Sequence, residues 1–160
     1  MIKVIDGNLL ESGADIICHQ VNCQGKMNSG VAKQIRNKWS SVYDLYLSAF
    51  AKEIGFENPL GKIQIASVDN GERCVINCFA QDNYGYDGKQ YTDVNALKKC
   101  FEQILGIAKS TKRNNGKDLR IAMPYKIGCV RGGANWDEVY TIIEEVFKDC
   151  NVELWRLDKG

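Results

Sequence analysis

Apolar and polar residues alternate along this chain in two distinct rhythms. Short runs rich in Ile and Val occur at Ile2 to Ile5, Asp15 to Val21, Lys62 to Val68, Cys74 to Phe79, Leu119 to Met123 and Val152 to Trp155, each bounded by Gly, Asn, Asp or Pro. That pattern predicts six strands. Between them the apolar period lengthens to that of a helix. Val31, Ile35 and Trp39 recur at i, i+4 and i+8, and Val42, Leu45, Tyr46, Ala49 and Phe50 mark a second face. Leu97, Phe101, Ile104, Leu105 and Ala108 form a third stripe, with Thr92 as its expected cap. The last helix is the best specified. Asn135 stands where a cap belongs, Glu138 follows three residues later, and Val139, Ile142, Ile143, Val146 and Phe147 line one face.

Strands that alternate with helices predict an α/β fold, a parallel or mixed sheet with helices on both faces. In such sheets ligands bind beyond the carboxyl ends of the strands, so the strand-to-helix loops matter most. The 160 residues suit one domain, 1–160, large enough to bury a core without disulfides or metals. The 44% hydrophobic and 26% charged content excludes a disordered chain.

Lys plus Arg number 21 and Asp plus Glu 20, a net charge of +1 that provides no broad surface for nucleic acid. No apolar run approaches the ~20 residues that span a bilayer, so no membrane partner is expected and a cytoplasmic location is. Seven cysteines, an odd number without paired C-x-x-C spacing, share the chain with one histidine. They predict reduced thiols, no metal site and no cofactor.

Two loops stand out, "NCQGKMNSG" after the second strand and "KIGCVRGGANW" after the fifth. Small residues let backbone N–H groups approach a ligand, and a following helix adds its positive end, so each loop suits a phosphate and the pair suits a diphosphate. Neither G-x-x-x-x-G-K-[ST] nor G-x-G-x-x-G occurs.

The stretch "DGNLLESGADIICHQVNCQGKMNSGVAKQI" resembles the opening of a macro domain, an ADP-ribose-binding module. "MPYKIGCVRGGANWDEVYTIIEEVF" resembles the same family's second phosphate loop and the helix after it. The likeness covers nearly the whole chain. It is greatest to the yeast-type ADP-ribose 1''-phosphate phosphatases and the terminal ADP-ribose protein glycohydrolases. It implies a three-layer α/β/α fold with a mixed central sheet flanked by helices. Carried over residue by residue, it implies that Gly7, Asn8 and Leu9 border adenine and that Asn22 meets the distal ribose. Met27, Asn28, Ser29, Gly30, Val31 and Ala32 would wrap the diphosphate, and Ile127, Gly128, Cys129, Val130, Arg131 and Gly132 would close over it.

Several of these positions also have a plain structural reading. Asn8 replaces the Asp usual in the family and equally suits a turn after Gly7. Asn22 ends a buried strand, where an unpaired amide would cost ~1–3 kcal/mol, so it needs a ligand or a dedicated partner. His19 aligns with a histidine implicated in catalysis in the phosphatase branch. A lone strand histidine is otherwise a satisfied core residue, and strand alternation points it away from Asn22 unless the strand bends. The glycohydrolase branch uses a lysine and an aspartate. Gln81 and Gly132 occupy those places here. Asp82 and Asp87, in the flap-like loop with Tyr84, Gly85 and Tyr86, are the alternative carboxylates. Lys26, Lys126 and Arg131 are candidates to offset phosphate charge, and Tyr125 and Leu157 to wall adenine.

The resemblance therefore implies hydrolysis of ADP-ribose 1''-phosphate, with His19, Asn22 and Asp82 as catalytic candidates and ADP-ribose or a derivative as ligand. Removal of ADP-ribose from modified macromolecules is the alternative, and a reader without catalysis a third.

Overall fold

The computed structural model describes residues 1–28, 30–53, 55–85, 87–111 and 116–157. Six strands, β1 (Ile2–Asp6), β2 (Ile16–Asn22), β3 (Ile63–Val68), β4 (Arg73–Gln81), β5 (Arg120–Pro124) and β6 (Asn151–Arg156), form one sheet in the order β1-β6-β5-β2-β4-β3. All neighbours run parallel except β3, which is antiparallel to β4. Four helices, α1 (Gly30–Lys38), α2 (Ser40–Ser48), α3 (Val94–Ser110) and α4 (Trp136–Val146), pack on it. The mixed α/β architecture is the expected one.

The side-chain period of two explains the layering. In β2, Ile16 and Cys18 join a core with Leu97, Phe101 and Ile104 of α3 and Val139 and Ile143 of α4. Ile17 and Val21 face the opposite way, into a core with Ile35 of α1 and Val42 and Tyr46 of α2. Phe101 meets Phe147 edge to face at 5.5 Å, which joins α3 to the end of α4. Phe50, expected on the buried face of α2, lies beyond its end and stays 38% exposed.

The helix starts follow side-chain chemistry. Asn135 Oδ1 accepts from Glu138 N at 3.1 Å, as its position predicts. The cap of α3 is corrected from Thr92 to Asp93, whose carboxylate accepts from Ala96 N at 3.0 Å. Thr92 is engaged elsewhere.

On the α1/α2 face the core encloses three polar side chains, His19, Asn77 and Gln64, which are 2%, 0% and 8% exposed. Burial lowers the His19 imidazole from 6.5 to about 4, opposed by its hydrogen bond to Asn77. The folded chain therefore refuses a proton that the unfolded chain accepts.

Two outcomes are expected. Asp93→Ala should cost about 1 kcal/mol, seen as a lower denaturant midpoint at unchanged slope. The contribution of His19 to stability should be complete above pH 6.5 and be lost as pH falls towards about 4, by up to ~1.4 kcal/mol per pH unit. His19→Gln should flatten that part of the stability curve.

Candidate functional site

The carboxyl ends of β2 and β5, the β4–α3 loop and the first turn of α1 surround a cleft of about 290 Å³. Its lining includes His19, Asn22, Asn28, Gly30, Val31 and Ala32 on one side and Ile127, Gly128, Val130, Arg131 and Gly132 on the other. Those predicted residues are thus brought together. The phosphate candidates Lys26 and Lys126, the adenine candidate Tyr125 and the flap residues Tyr84 and Gly85 also line it, and the structure adds Gln20, Val21, Gln81 and Pro124. Among the described lining residues Lys26, Lys126 and Arg131 carry positive charge and none is Asp or Glu. A near-neutral chain has gathered a local cationic field at one cleft.

The first loop is shaped by Asn22. The pairing of β2 with β4 shifts register between Val21 and Asn22, so the strand does bend there. Asn22 Oδ1 accepts from Gln24 N at 3.0 Å and from the Tyr46 hydroxyl at 2.7 Å, while Nδ2 donates to Lys26 O at 3.0 Å. Lys26 N in turn donates to the Tyr46 hydroxyl at 3.1 Å. Asn22 therefore has dedicated partners and closes the turn that presents Lys26. Further on, Arg36 donates to Asn28 Oδ1 at 3.2 Å, which steadies the turn into α1. Gly30 has φ +60 with nothing within 4 Å of an added Cβ, so its backbone opens onto free space.

The second loop is gripped by Thr92. Its hydroxyl donates to Gly128 O at 2.7 Å, and its backbone N donates to Gly132 O at 3.0 Å. Gln20 Nε2 donates to Thr92 Oγ1 and to Gln81 Oε1, both at 2.7 Å, and Gln81 Nε2 donates to Asn83 O at 2.8 Å. Thr92 thus joins the β4–α3 loop to the glycine loop, and the Gln20 amide ties Thr92 to the end of β4. A Cβ at Gly132 would stand 1.9 Å from Thr92 Oγ1 and 2.5 Å from Gly128 O, so position 132 has no room for a side chain. Nothing in the local sequence marks Thr92 for this task. Gln20 could have been noticed as a polar residue inside an apolar strand, where it must find partners.

Other predicted residues lie outside the lining. Gly7, Asn8 and Leu9 follow β1. Asn8 Oδ1 accepts from Leu10 N at 3.0 Å, Leu9 is buried, and a Cβ at Gly7 would meet the Trp155 ring at 2.8 Å. Met27 is fully buried in the core beneath α1. Cys129 is half-buried, with its thiol on Ile127 O at 3.5 Å. Ser29 and Tyr86 fall outside the described residues. Asp82 is exposed, and its carbonyl accepts from Cys23 N and Gln24 Nε2. Asp87 accepts from the Tyr91 hydroxyl at 2.8 Å. Leu157 is 63% exposed. Among the described residues no group of three or more His, Cys, Asp or Glu is arranged for a metal ion. No helix there is long and apolar enough to cross a membrane.

The chain is similar to known proteins in sequence and fold. Over 166 residues the chain is 26% identical to a DNA ADP-ribosyl glycohydrolase of Thermus aquaticus, covering 97% of this chain but only 40% of that protein. Over 173 residues it is 26% identical to an ADP-ribose 1''-phosphate phosphatase of Scheffersomyces stipitis, covering 95% of this chain and 98% of that one. The macrodomain of Thermus aquaticus DarG superimposes with a TM-score of 0.75 at 22% identity, over 99% of this chain and 98% of the other. The Macro domain family model matches residues 18–143, and the chain belongs to that family.

Proposed function

We propose that this protein binds ADP-ribose in the cleft and hydrolyses ADP-ribose 1''-phosphate. One observation carries the binding: three cations and two glycine-rich loops converge on a cleft whose described lining contains no carboxylate. A diphosphate gains charge-assisted hydrogen bonds there and meets no repulsion. The phosphatase of Scheffersomyces stipitis, matched along almost its whole length, supports the reaction.

In this reading water attacks phosphorus, the bond from phosphorus to the ribose oxygen breaks, and that oxygen leaves with the electron pair and takes up a proton. ADP-ribose and phosphate result. Such a loose transition state asks chiefly for positioning and for charge to be met, which the two loops supply. His19 is neutral at physiological pH and has one ring nitrogen without a partner among the described residues. It orients the attacking water by accepting its hydrogen. Asn22 has a second amide hydrogen for a ribose hydroxyl.

A hydrolase of ADP-ribosylated DNA is the second reading, supported by the relative in Thermus aquaticus. It would need a mechanism without the lysine and aspartate of the glycohydrolase branch. Gln81 is tied into the amide network, and Gly132 cannot accept a side chain without displacing Thr92.

Free ADP-ribose should raise the melting temperature, because a ligand bound only by the folded state adds about 2.7 kcal/mol at a hundredfold excess over Kd. No shift at millimolar ADP-ribose would remove the binding proposal. His19→Gln should slow phosphate release from ADP-ribose 1''-phosphate by roughly 10²–10⁴ with calorimetric affinity for ADP-ribose within a few-fold. Equal turnover in that variant would remove His19 from the mechanism, and an unaltered protein that binds ADP-ribose but releases neither phosphate from ADP-ribose 1''-phosphate nor ADP-ribose from modified DNA would be one that only binds.

A further inference from the structure

His19 belongs to a chain of hydrogen bonds that crosses the α1/α2 face of the sheet. Its Nε2 lies 2.6 Å from Asn77 Oδ1. Asn77 Nδ2 donates to Gln64 Oε1 at 3.1 Å, and Gln64 Nε2 donates to Leu45 O at 2.8 Å. The register sets this line. His19 pairs with Asn77 across β2 and β4, and Asn77 pairs with Gln64 across β4 and β3.

The direction of the chain is decided at its far end. Leu45 O is a backbone carbonyl and can only accept, so Gln64 must turn its NH₂ towards it and its oxygen towards Asn77. Asn77 must then donate to Gln64, which leaves its own oxygen facing the imidazole. Two acceptors cannot share a hydrogen bond, so Nε2 carries the proton. A neutral imidazole has one N–H, and Nδ1 is therefore the bare acceptor. The structure agrees on a point that the chain of bonds does not itself include: Nδ1 is buried and has no partner among the described residues, in a side chain that lines the cleft. An acceptor left unpaired in a residue 2% exposed is costly, and the cleft that His19 lines is where a ligand or water can supply the hydrogen.

We propose that Asn77 and Gln64 are positioning residues that lock the tautomer of His19, holding Nδ1 as a proton acceptor at the floor of the cleft. The logic is that of a carboxylate behind a catalytic histidine, carried out by two neutral amides and a helix carbonyl. Amides fix the tautomer without placing a negative charge next to the ring, which keeps the imidazole neutral beside an anionic ligand. The tautomer stands on hydrogen bonding alone. Its consequence for turnover rests on the phosphatase reading above.

The single histidine makes the test direct. Long-range proton–nitrogen correlation on protein labelled with ¹⁵N-histidine should show one tautomer with the proton on Nε2. A proton on Nδ1, or rapid averaging of the two nitrogens, would overturn the proposal. Gln64→Leu removes the anchor and lets Asn77 turn over, so its spectrum should show averaged nitrogens and its kcat should fall about tenfold with KM unchanged. An unchanged Nε2–H pattern in that variant would also overturn it. Should Gln64→Leu fail to fold, Asn77→Asp serves instead. Its carboxylate still accepts from Nε2–H, so the tautomer should persist while the pH at which His19 titrates rises. Loss of the Nε2–H pattern in Asn77→Asp would count against the lock. If the tautomer and its response to Gln64→Leu are as stated but no phosphate is released by any form, the lock holds and the phosphatase reading fails.

Discussion

A polar side chain in a strand buried on both faces must find its hydrogen-bond partners inside the protein, and at the carboxyl end of β2 that constraint falls on His19, Gln20 and Asn22 together. His19 is buried and Gln20 and Asn22 are half-buried, and a buried polar group left unpaired costs ~1–3 kcal/mol. The pleat sends His19 to Asn77 on the α1/α2 face and Gln20 to Thr92 on the other, and the register shift after Val21 returns Asn22 to Tyr46. Two of the three hold the loops of the cleft through those partners. Asn22 closes the first loop, Gln20 holds the second through Thr92, and His19 lies between them. Satisfying three polar groups at the end of one strand and shaping one cleft are here the same arrangement of atoms.

The glycines follow from that arrangement as much as from any ligand. Gly132 lies against Thr92 and Gly128 O so closely that a methyl group would collide with both. Gly30 stands in open space and is required for its backbone angle alone. One composition thus serves two causes, close packing in the second loop and an accessible backbone in the first. Small-residue content by itself does not tell them apart.

Most of the architecture was legible in the sequence because it depends on local periodicity. All six strands lie where the Ile and Val runs place them, and the stripe of α4 with its Asn135 cap matches its pattern. The misreading at α3 has a physical cause. Thr92 and Asp93 are both good caps, and only the tertiary bonds of Thr92 to Gly128 and Gly132 show that it is already occupied. For the same reason Asn22 was legible as a strand-end amide in need of partners, but not as the partner of Tyr46, 24 residues away. Gln20, Thr92 and Gln81 act through one another across separations of 61 and 72 residues, which no periodicity encodes. Asp82, attractive as a carboxylate in a polar loop, presents only its backbone carbonyl to the first loop in the described contacts.

The two faces of β2 carry parallel solutions. On one face a backbone carbonyl of α2 orients Gln64, Asn77 and His19 in turn. On the other, the carbonyls of Gly128 and Asn83 orient Thr92 and Gln81, and these oblige Gln20 to present its NH₂ to both. Each network is made of neutral groups anchored on acceptors that cannot turn, and each leaves one buried acceptor over, His19 Nδ1 and Gln20 Oε1. Neutral networks of this kind resist reorganisation because turning any member breaks bonds on both sides of it. A cleft assembled in this way holds its dipoles fixed before a ligand arrives, and fixed dipoles do not have to be rearranged as charge develops in a transition state. The charged side chains among the described lining residues are all cations, and the two neutral networks lie beneath them.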